Sequence, residues 1–260
     1  MGNEVTTLDK RDGVATLTLN RPQALNALTS QLLNEIYYSL RNCEADPTVR
    51  AVIITGAGRG FCAGADIASG NSADEIQDPD IGMERYSRVI RLLRSMEKPV
   101  LAAVNGAAAG AGLGIALACD LRIASATARF GAAFVRVGLA SDSGVAYHLL
   151  RLVGTGRATD LLFSGRLINA DEALSLGIVN RVAPAEKFAA DASTWAGELA
   201  KGPTRAIGFT KRIINVSLTL ALPAVLDIEA YGQGVTGKTL DNQEGVKAFS
   251  ERREPQFQGR

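Results

Sequence analysis

Two loops rich in glycine and alanine point most directly to chemistry in this sequence. They are Phe61-Cys-Ala-Gly-Ala-Asp66 and Asn105-Gly-Ala-Ala-Ala-Gly-Ala-Gly-Leu-Gly114. Small residues let a ligand approach main-chain N–H groups, and a helix N-terminus after the loop adds partial positive charge. Such N–H groups can hold a phosphate or stabilise negative charge developing on a carbonyl oxygen. Close packing of a helix on a sheet also favours small residues, so the loops alone leave both interpretations open.

Asp142 is the acidic residue with the most informative surroundings. It lies in Gly138-Leu-Ala-Ser-Asp-Ser-Gly144, just before a segment expected to be helical. The apolar residues expected to pack around it are Phe134, Leu139 and Val145. Burial there would raise the pKa of the carboxyl into a range useful for proton transfer. Ser141 or Asp142 could instead cap the helix, and the pattern supports the two roles equally.

Other nucleophiles and cofactor patterns fit less well. His148, the single histidine, falls in an apolar helical pattern without a GxSxG motif, which favours a structural role. Three cysteines without CxxC spacing predict neither a disulfide framework nor a zinc site, and Cys62 is interpreted as a small buried residue. No P-loop pattern is present, and the loose dinucleotide pattern at 58–63 lacks a following apolar helix. We therefore expect no metal.

Composition limits the classes of partner. The 260 residues suffice for one large domain or for one domain with a small appendage. Lys and Arg number 28 and Asp and Glu 27, and the net charge of +1 argues against electrostatic binding of nucleic acid or of a membrane surface. The uncharged segment 100–119 has the length of a membrane span, but 12 of its 20 residues are Gly or Ala, so no span is predicted. Without an apparent signal peptide, a cytoplasmic protein is expected.

The elements that must position these loops follow an alternating pattern. Apolar runs predict strands at 14–19, 49–54, 100–104 and 121–124, the second and third of which lead into the glycine-rich loops. Helices are expected at 29–44, 83–96 and near 112–118, and from Asp142 to about Val153. Further helices are expected after Pro203, at about 220–231 and at 240–252. The alternation predicts an α/β core with helices covering a largely parallel sheet, followed by a mostly helical part that packs on it.

Four segments together resemble the crotonase, or enoyl-CoA hydratase/isomerase, superfamily. They are TGAGRG at 55–60, FCAGAD at 61–66, VNGAAAGAGLGIALACD at 104–120 and EGVKAFSERREPQF at 244–257. The resemblance implies a spiral of repeated ββα units over residues 1–200 and a helical trimerisation region over 201–260. It also implies homotrimers, which can pair into hexamers.

The same resemblance implies an acyl-CoA thioester as substrate, with coenzyme A as part of that substrate and no separate cofactor. The two N–H groups that hold the thioester oxygen fall on Ala65 and Ala111. Ala63, Asp66 and Arg252 match positions that bind the coenzyme A portion. Pocket walls are expected from residues 67–90 and from the C-terminal helices.

Hydratases of this family use two glutamates to activate water, and the matching positions here are Gly114 and Phe134. Asp142 instead matches the acid of a subgroup that isomerises a ring epoxide of phenylacetyl-CoA. We therefore expect an isomerase that converts the ring 1,2-epoxide to an oxepin thioester, shifts a Δ3 double bond to Δ2, or does both. A weak hydratase and a non-catalytic acyl-CoA-binding homologue are the alternatives.

Overall fold

A computed structural model describes residues 4–67 and 79–260, except for the side chains of 79–81. Its strands are β1 (Thr6–Arg11), β2 (Val14–Leu19), β3 (Ala51–Gly56), β4 (Gly60–Cys62), β5 (Val100–Val104), β6 (Ala107–Ala109), β7 (Leu121–Ser125), β8 (Arg129–Gly131), β9 (Leu167–Asn169) and β10 (Arg181–Ala183). Its helices are α1 (Ser30–Ala45), α2 (Pro79–Ser95), α3 (Ala111–Ala118), α4 (Val145–Ser164), α5 (Ala170–Ser175), α6 (Phe188–Lys201), α7 (Thr204–Ser217), α8 (Leu222–Thr236) and α9 (Leu240–Glu251). Short 3-10 turns cover Pro22–Ala24 and Ala133–Val137.

The larger sheet has the strand order β1-β2-β3-β5-β7-β10. Only β1 and β2 pair antiparallel, through a hairpin in which Asp12 and Gly13 both have positive φ, as a two-residue turn of this kind requires. The remaining pairs are parallel. Strand β5 is buried along its whole length, as is typical of a parallel strand covered on both faces. The predicted α/β core is thus confirmed.

A second, smaller sheet was not predicted. It has the order β4-β6-β8-β9, and β4, β6 and β8 run parallel to one another. Each of its strands is three residues long, and two of them lie inside the segments that the sequence analysis treated as loops. Strands of three residues have too few side chains to produce an alternating pattern.

Seven of the nine described helices lie near predicted positions, but α2, α4 and α8 extend beyond the predicted ranges, and α5 and α6 were not predicted individually. Thr29 caps α1 by accepting a hydrogen bond from the N–H of Leu32 at 3.2 Å. Helix α4, expected to end near Val153, continues to Ser164 after a kink at Gly154. Gly154 has a φ of 74°, a backbone conformation that only glycine adopts readily. The helix is interrupted at this residue and then resumes.

The C-terminal helices pack on the core, as expected. The buried Lys211 on α7 places its Nζ 2.8 Å from Oδ2 of Asp120, at the start of β7. The tail is held by Arg50, whose Nη1 donates to the carbonyl of Phe257 at 2.7 Å, and by Asp241, which accepts from two tail N–H groups. The predicted boundary at residue 200 falls one residue before the end of α6 and stays a prediction.

The described residues contain neither a membrane-spanning helix nor a metal-binding cluster. None of the described helices combines the length and the apolar content that a bilayer crossing needs. Within the same part of the chain, His, Cys, Asp and Glu side chains do not gather into a group of three or more that could hold a metal ion.

Candidate active site

The two glycine-rich loops lie side by side at the carboxyl ends of the adjacent parallel strands β4 and β6. A Cβ placed on Gly64 would lie 2.9 Å from the carbonyl oxygen of Ala109 and 3.5 Å from the nitrogen of Ala111. Gly64 has a φ of +96° and Gly110 a φ of +52°, a region in which glycine is strongly preferred. Close backbone approach and unusual backbone angles therefore account for the glycines where the loops meet.

Each loop presents a main-chain N–H group that is not used for folding. In the first loop, the N–H groups of Ala63 and Asp66 donate to the carbonyls of Leu25 and Leu28, both at 3.0 Å. The N–H of Ala65, between them, donates to no acceptor among the described residues. Ala111 is the first residue of α3, so its N–H has no helical acceptor, and none of the described residues outside the helix accepts it. The structure thus brings Ala65 and Ala111, the predicted oxyanion donors, into neighbouring loops.

The first loop is held by polar side chains from an earlier turn of the chain. Arg21 forms an ion pair with Asp66, with 2.8 Å between Nη2 and Oδ2, and also donates to the carbonyl of Ala27. Asn26 is fully buried and donates from Nδ2 to the carbonyls of Ala57 at 3.0 Å and Gly60 at 2.8 Å. The carboxylate of Asp66 thus contacts Arg21, and the role predicted for Asp66 in binding coenzyme A stays a prediction.

Sequence reasoning missed Arg21 and Asn26, because it treated the segment after β2 only as the end of a strand. A signal was available in residues 20–26, where Asn20 and Arg21 precede a proline-containing turn and Asn26 follows it. Asn26 has a φ of 57°, and asparagine is among the few residues other than glycine that adopt such angles.

The second loop and α3 are held by small residues. A Cβ on Gly112 would lie 2.3 Å from the carbonyl oxygen of Cys62 and 2.7 Å from its Sγ, so α3 rests directly on β4. A Cβ on Gly110 would meet the ring of Phe134 at 3.7 Å. Close packing and exposure of an N–H group, which the sequence analysis weighed as alternatives, occur in the same loop.

Asp142 lies in the turn between the second 3-10 helix and α4. Helix α4 begins after Gly144, which has a φ of 71° and provides no side-chain cap, so the alternative that Ser141 or Asp142 caps this helix is wrong. Asp142 is half-buried, and its Oδ1 forms no hydrogen bond of good geometry among the described residues. Burial raises the pKa of the Asp142 carboxyl, and the neighbouring Ser143 hydroxyl moderates this rise.

The apolar surroundings expected for Asp142 are only partly present. Phe134 and Val145 are buried, but Leu139 is 55% exposed. Leu139 follows Gly138, whose left-handed φ of 73° turns the chain outward at the end of the 3-10 helix. The expectation for Leu139 is therefore wrong.

His148 and Cys62 behave as structural residues. Burial, together with the charges of Arg94, Arg122 and Arg151, lowers the pKa of His148 to about 4. Burial raises the pKa of the Cys62 thiol to about 12, so the thiol stays protonated and is a poor nucleophile. Both agree with the sequence interpretation.

The remaining predicted positions are not tested by these contacts. Ala63 lies in the first loop with its N–H bound to Leu25, and Arg252 ends helix α9 with a left-handed φ of 54°. Of the segment 67–90 expected to line the pocket, residues 68–78 lie outside the described residues. The roles of Ala63 and Arg252 in binding coenzyme A stay predictions.

Two N–H groups without an acceptor could polarise a carbonyl, and a half-buried carboxylate such as that of Asp142 could move a proton next to it. Comparison with known proteins places the chain in a family. Residues 9–260 match the enoyl-CoA hydratase/isomerase family model, and the chain belongs to that family.

Its relatives carry both activities in their names. The chain is 41% identical to 1,2-epoxyphenylacetyl-CoA isomerase of Escherichia coli K12, over 95% of this chain and 96% of that protein. It is 40% identical to a short-chain-enoyl-CoA hydratase of Clostridium acetobutylicum, over 95% and 94% of the two chains. The solved enoyl-CoA hydratase of Bacillus anthracis superposes with a TM-score of 0.94 at 32% identity, covering 99% of this chain and 100% of that one. The fold is therefore that of the crotonase family.

Proposed function

We propose that this protein is an acyl-CoA isomerase in which Asp142 moves a proton while Ala65 and Ala111 stabilise an enolate. The observations that carry the proposal are two N–H groups without an acceptor in adjoining loops and a half-buried acid, Asp142, whose Oδ1 has no hydrogen-bond partner among the described residues. At the two positions where hydratases of the family carry glutamates, Gly114 and Phe134 have no ionisable side chain. Similarity to an isomerase from Escherichia coli agrees with this choice but does not decide it, because relatives of comparable identity are named hydratases.

The thioester oxygen accepts hydrogen bonds from the N–H groups of Ala65 and Ala111. Asp142 removes a proton from C2, and the electron pair of that C–H bond moves into the carbonyl to give the enolate. Aimed N–H donors stabilise this charge most strongly in the transition state, and losing one such donor typically costs about 2.7–4 kcal/mol of barrier. The raised pKa of Asp142 makes the carboxylate a stronger base than an exposed aspartate.

The enolate then collapses without any other reactant. With a Δ3 enoyl thioester, the new double bond forms between C2 and C3, and the Asp142 carboxyl returns its proton to C4. With a ring 1,2-epoxide of phenylacetyl-CoA, the same electrons form a double bond between C2 and the ring while the carbon–carbon bond of the epoxide breaks to give the seven-membered oxepin. The Asp142 carboxyl then returns its proton to a ring carbon. In both cases substrate and product are isomers, so no separate cofactor is needed.

The decisive experiment replaces Asp142 by asparagine. With 3-hexenoyl-CoA as substrate, D142N is expected to lower kcat by about 10²–10⁴-fold, the usual contribution of a positioned acid–base group. Binding of butyryl-CoA, measured by calorimetry, should be unchanged. Asp160→Asn is the matched control, because Asp160 is an exposed acid on α4, the helix that follows Asp142. Near-normal turnover by D142N would end the assignment.

Two further readouts separate the alternatives. The carboxylate form of Asp142 is the active one, so kcat/KM should fall as pH drops through its raised pKa, above the range of an ordinary aspartate. A hydratase would lower the absorbance of crotonyl-CoA over time, because it adds water across the conjugated double bond. A non-catalytic binder would take up no deuterium at C2 in heavy water.

We also propose that the protein forms a homotrimer that can pair into a hexamer. Helices α8 and α9 expose large apolar side chains, with Phe249 87% and Leu222 69% accessible, and such patches commonly mark protein interfaces. Light scattering in solution should therefore give three or six times the chain mass of 27.3 kDa.

A further inference from the structure

Gly114 on α3 and Ser143 occupy adjoining space so tightly that only one of them can have a side chain. A Cβ placed on Gly114 would lie 2.6 Å from both the Cβ and the carbonyl oxygen of Ser143, and 3.3 Å from its carbonyl carbon. Real Cβ atoms do not approach other atoms to 2.6 Å, and a backbone carbonyl cannot swing aside as a flexible side chain can. Any side chain at 114 would therefore displace the segment that carries Asp142.

That segment is shaped by its backbone. Ser143 has a φ of 50° and Gly144 a φ of 71°, so two successive residues adopt the left-handed conformation, one of them with a Cβ. The Oγ of Ser143 and the Oδ1 of Asp142 are both buried, and neither forms a hydrogen bond of good geometry among the described residues. A left-handed residue other than glycine persists where its surroundings fix it, and here the contact with α3 does so.

Gly114 also connects this contact to the oxyanion donor. It lies three residues after Ala111, which is one turn of α3 and about 4.5 Å along its axis. Residues with this spacing share a face of a helix. The contact between Gly114 and Ser143 and the N–H of Ala111 therefore belong to the same turn of α3. Asp142 directly precedes Ser143 in the chain.

We propose that Gly114 is a specificity-determining residue and Ser143 a positioning residue. By lacking a side chain, Gly114 lets Ser143 rest on α3, which fixes the Asp142 carboxylate beside the thioester. The same contact leaves no room at position 114 for a second carboxylate, which activation of water would need. The inference rests on the proposed function, because it assumes that Asp142 moves the proton.

The test compares G114A with D142N and with a glycine that has free space. In G114A the added methyl group pushes the 142–144 segment away. We expect kcat for 3-hexenoyl-CoA to fall by about 100-fold, as misplacement by about 1 Å can produce. Affinity for butyryl-CoA should stay within about twofold, because the N–H donors remain in place. Gly197→Ala is the matched control, since a Cβ there meets nothing within 4 Å.

A second variant approaches the contact from the other side. Ser143→Gly removes the side chain that contacts α3 and makes the backbone at 143 more flexible. We therefore expect kcat to fall while the affinity for the thioester is unchanged. Because the Ser143 hydroxyl lowers the pKa of Asp142, the acid limb of the pH–rate profile should also move to higher pH. A merely structural role would not shift this limb. If G114A does not fold, this variant decides the question.

The outcomes separate the two proposals. An active D142N overturns the proposed function whatever position 114 does. An inactive D142N with kcat for G114A within about threefold of the parent overturns only the role of Gly114. Unchanged kcat and pH profile in Ser143→Gly overturn the positioning role of Ser143. A folded Gly114→Glu protein that hydrates crotonyl-CoA overturns the exclusion of a second carboxylate.

Discussion

The two loops of the candidate site present the same chemical group but are held in place by different means. Polar side chains tie the first loop: Arg21 holds Asp66, and Asn26 bonds to the carbonyls of Ala57 and Gly60. The second loop is held by close packing: Gly112 and Gly114 have no side chains, so α3 contacts Cys62 and Ser143 directly. A main-chain donor can therefore be fixed by charge or by close contact, and the two loops should fail under different perturbations.

The largest effect is expected where the first loop loses its charge pair. Arg21→Met removes the guanidinium from Asp66, and both side chains are largely buried, at 16% and 8% exposed. Breaking a buried pair typically costs about 3–5 kcal/mol, because the remaining charge stays in a poorly solvated site. Urea unfolding measures this loss.

The control for this prediction is an exposed pair. Arg166→Met removes the partner of Asp160, and these side chains are 38% and 56% exposed, so the expected cost is at most about 1 kcal/mol. Similar losses in the two variants would contradict the view that a buried charge pair holds the first loop.

A smaller, purely steric effect is expected in the second loop. The methyl group of Gly112→Ala would meet the Cys62 carbonyl oxygen at 2.3 Å, so α3 must lift from β4. Overpacking of this kind costs about 1–3 kcal/mol, and contact with backbone favours the upper end. The loss should not depend on salt, in contrast to any loss caused by removing a charge.

The thiol of Cys62 reports this movement directly. It is buried and protonated in the native protein, so it should react slowly with iodoacetamide, and faster in Gly112→Ala. Gly197→Ala again serves as the control, and its Cβ in open space should leave the labelling rate unchanged. Equal labelling rates in Gly112→Ala and the parent would contradict a role for close contact.

The elements predicted correctly from the sequence are those whose hydrophobic pattern extends over many residues. Strand β5 was predicted with its observed bounds, because five consecutive apolar residues precede a glycine-rich loop. The site loops and Asp142 were singled out from their residue types, and the resemblance of whole segments to a family then implied the roles of Ala65, Ala111 and Asp142. The capping role considered for Asp142 was wrong because Gly144, a residue without a polar side chain, begins the helix.

What the sequence could not supply depends on long-range contacts. The pairing of Arg21 with Asp66 joins residues 45 positions apart, and neither residue type alone indicates its partner. The contact between Gly114 and Ser143 depends on how α3 and α4 meet, which no local pattern encodes. The three-residue strands of the second sheet likewise form only because a neighbouring strand lies beside them.

The smallest expected effect is a pH dependence of the free energy of unfolding, which arises from His148 near the second loop. His148 packs beneath Gly144, whose Cβ would lie 3.4 Å from the imidazole Cδ2, and burial among arginines lowers its pKa to about 4. In the unfolded chain an ordinary histidine has a pKa of about 6.5. As pH falls below about 6.5, the unfolded state binds the proton first, so the free energy of unfolding decreases until pH approaches 4.

Linkage gives a loss of about 2 kcal/mol between pH 8 and pH 5 from this single group. His148→Phe keeps an aromatic ring beside Tyr147 but removes the titrating group. The free energy of unfolding of this variant, relative to that of the parent, should therefore increase as pH falls. Urea unfolding of both proteins at pH 8, 6 and 5 measures the difference, and groups common to both cancel. The first loop contains no histidine, so Arg21→Met in the His148→Phe background should add the same cost at pH 8 and pH 6. Parallel pH profiles for His148→Phe and the parent would mean that folding does not lower the pKa of His148.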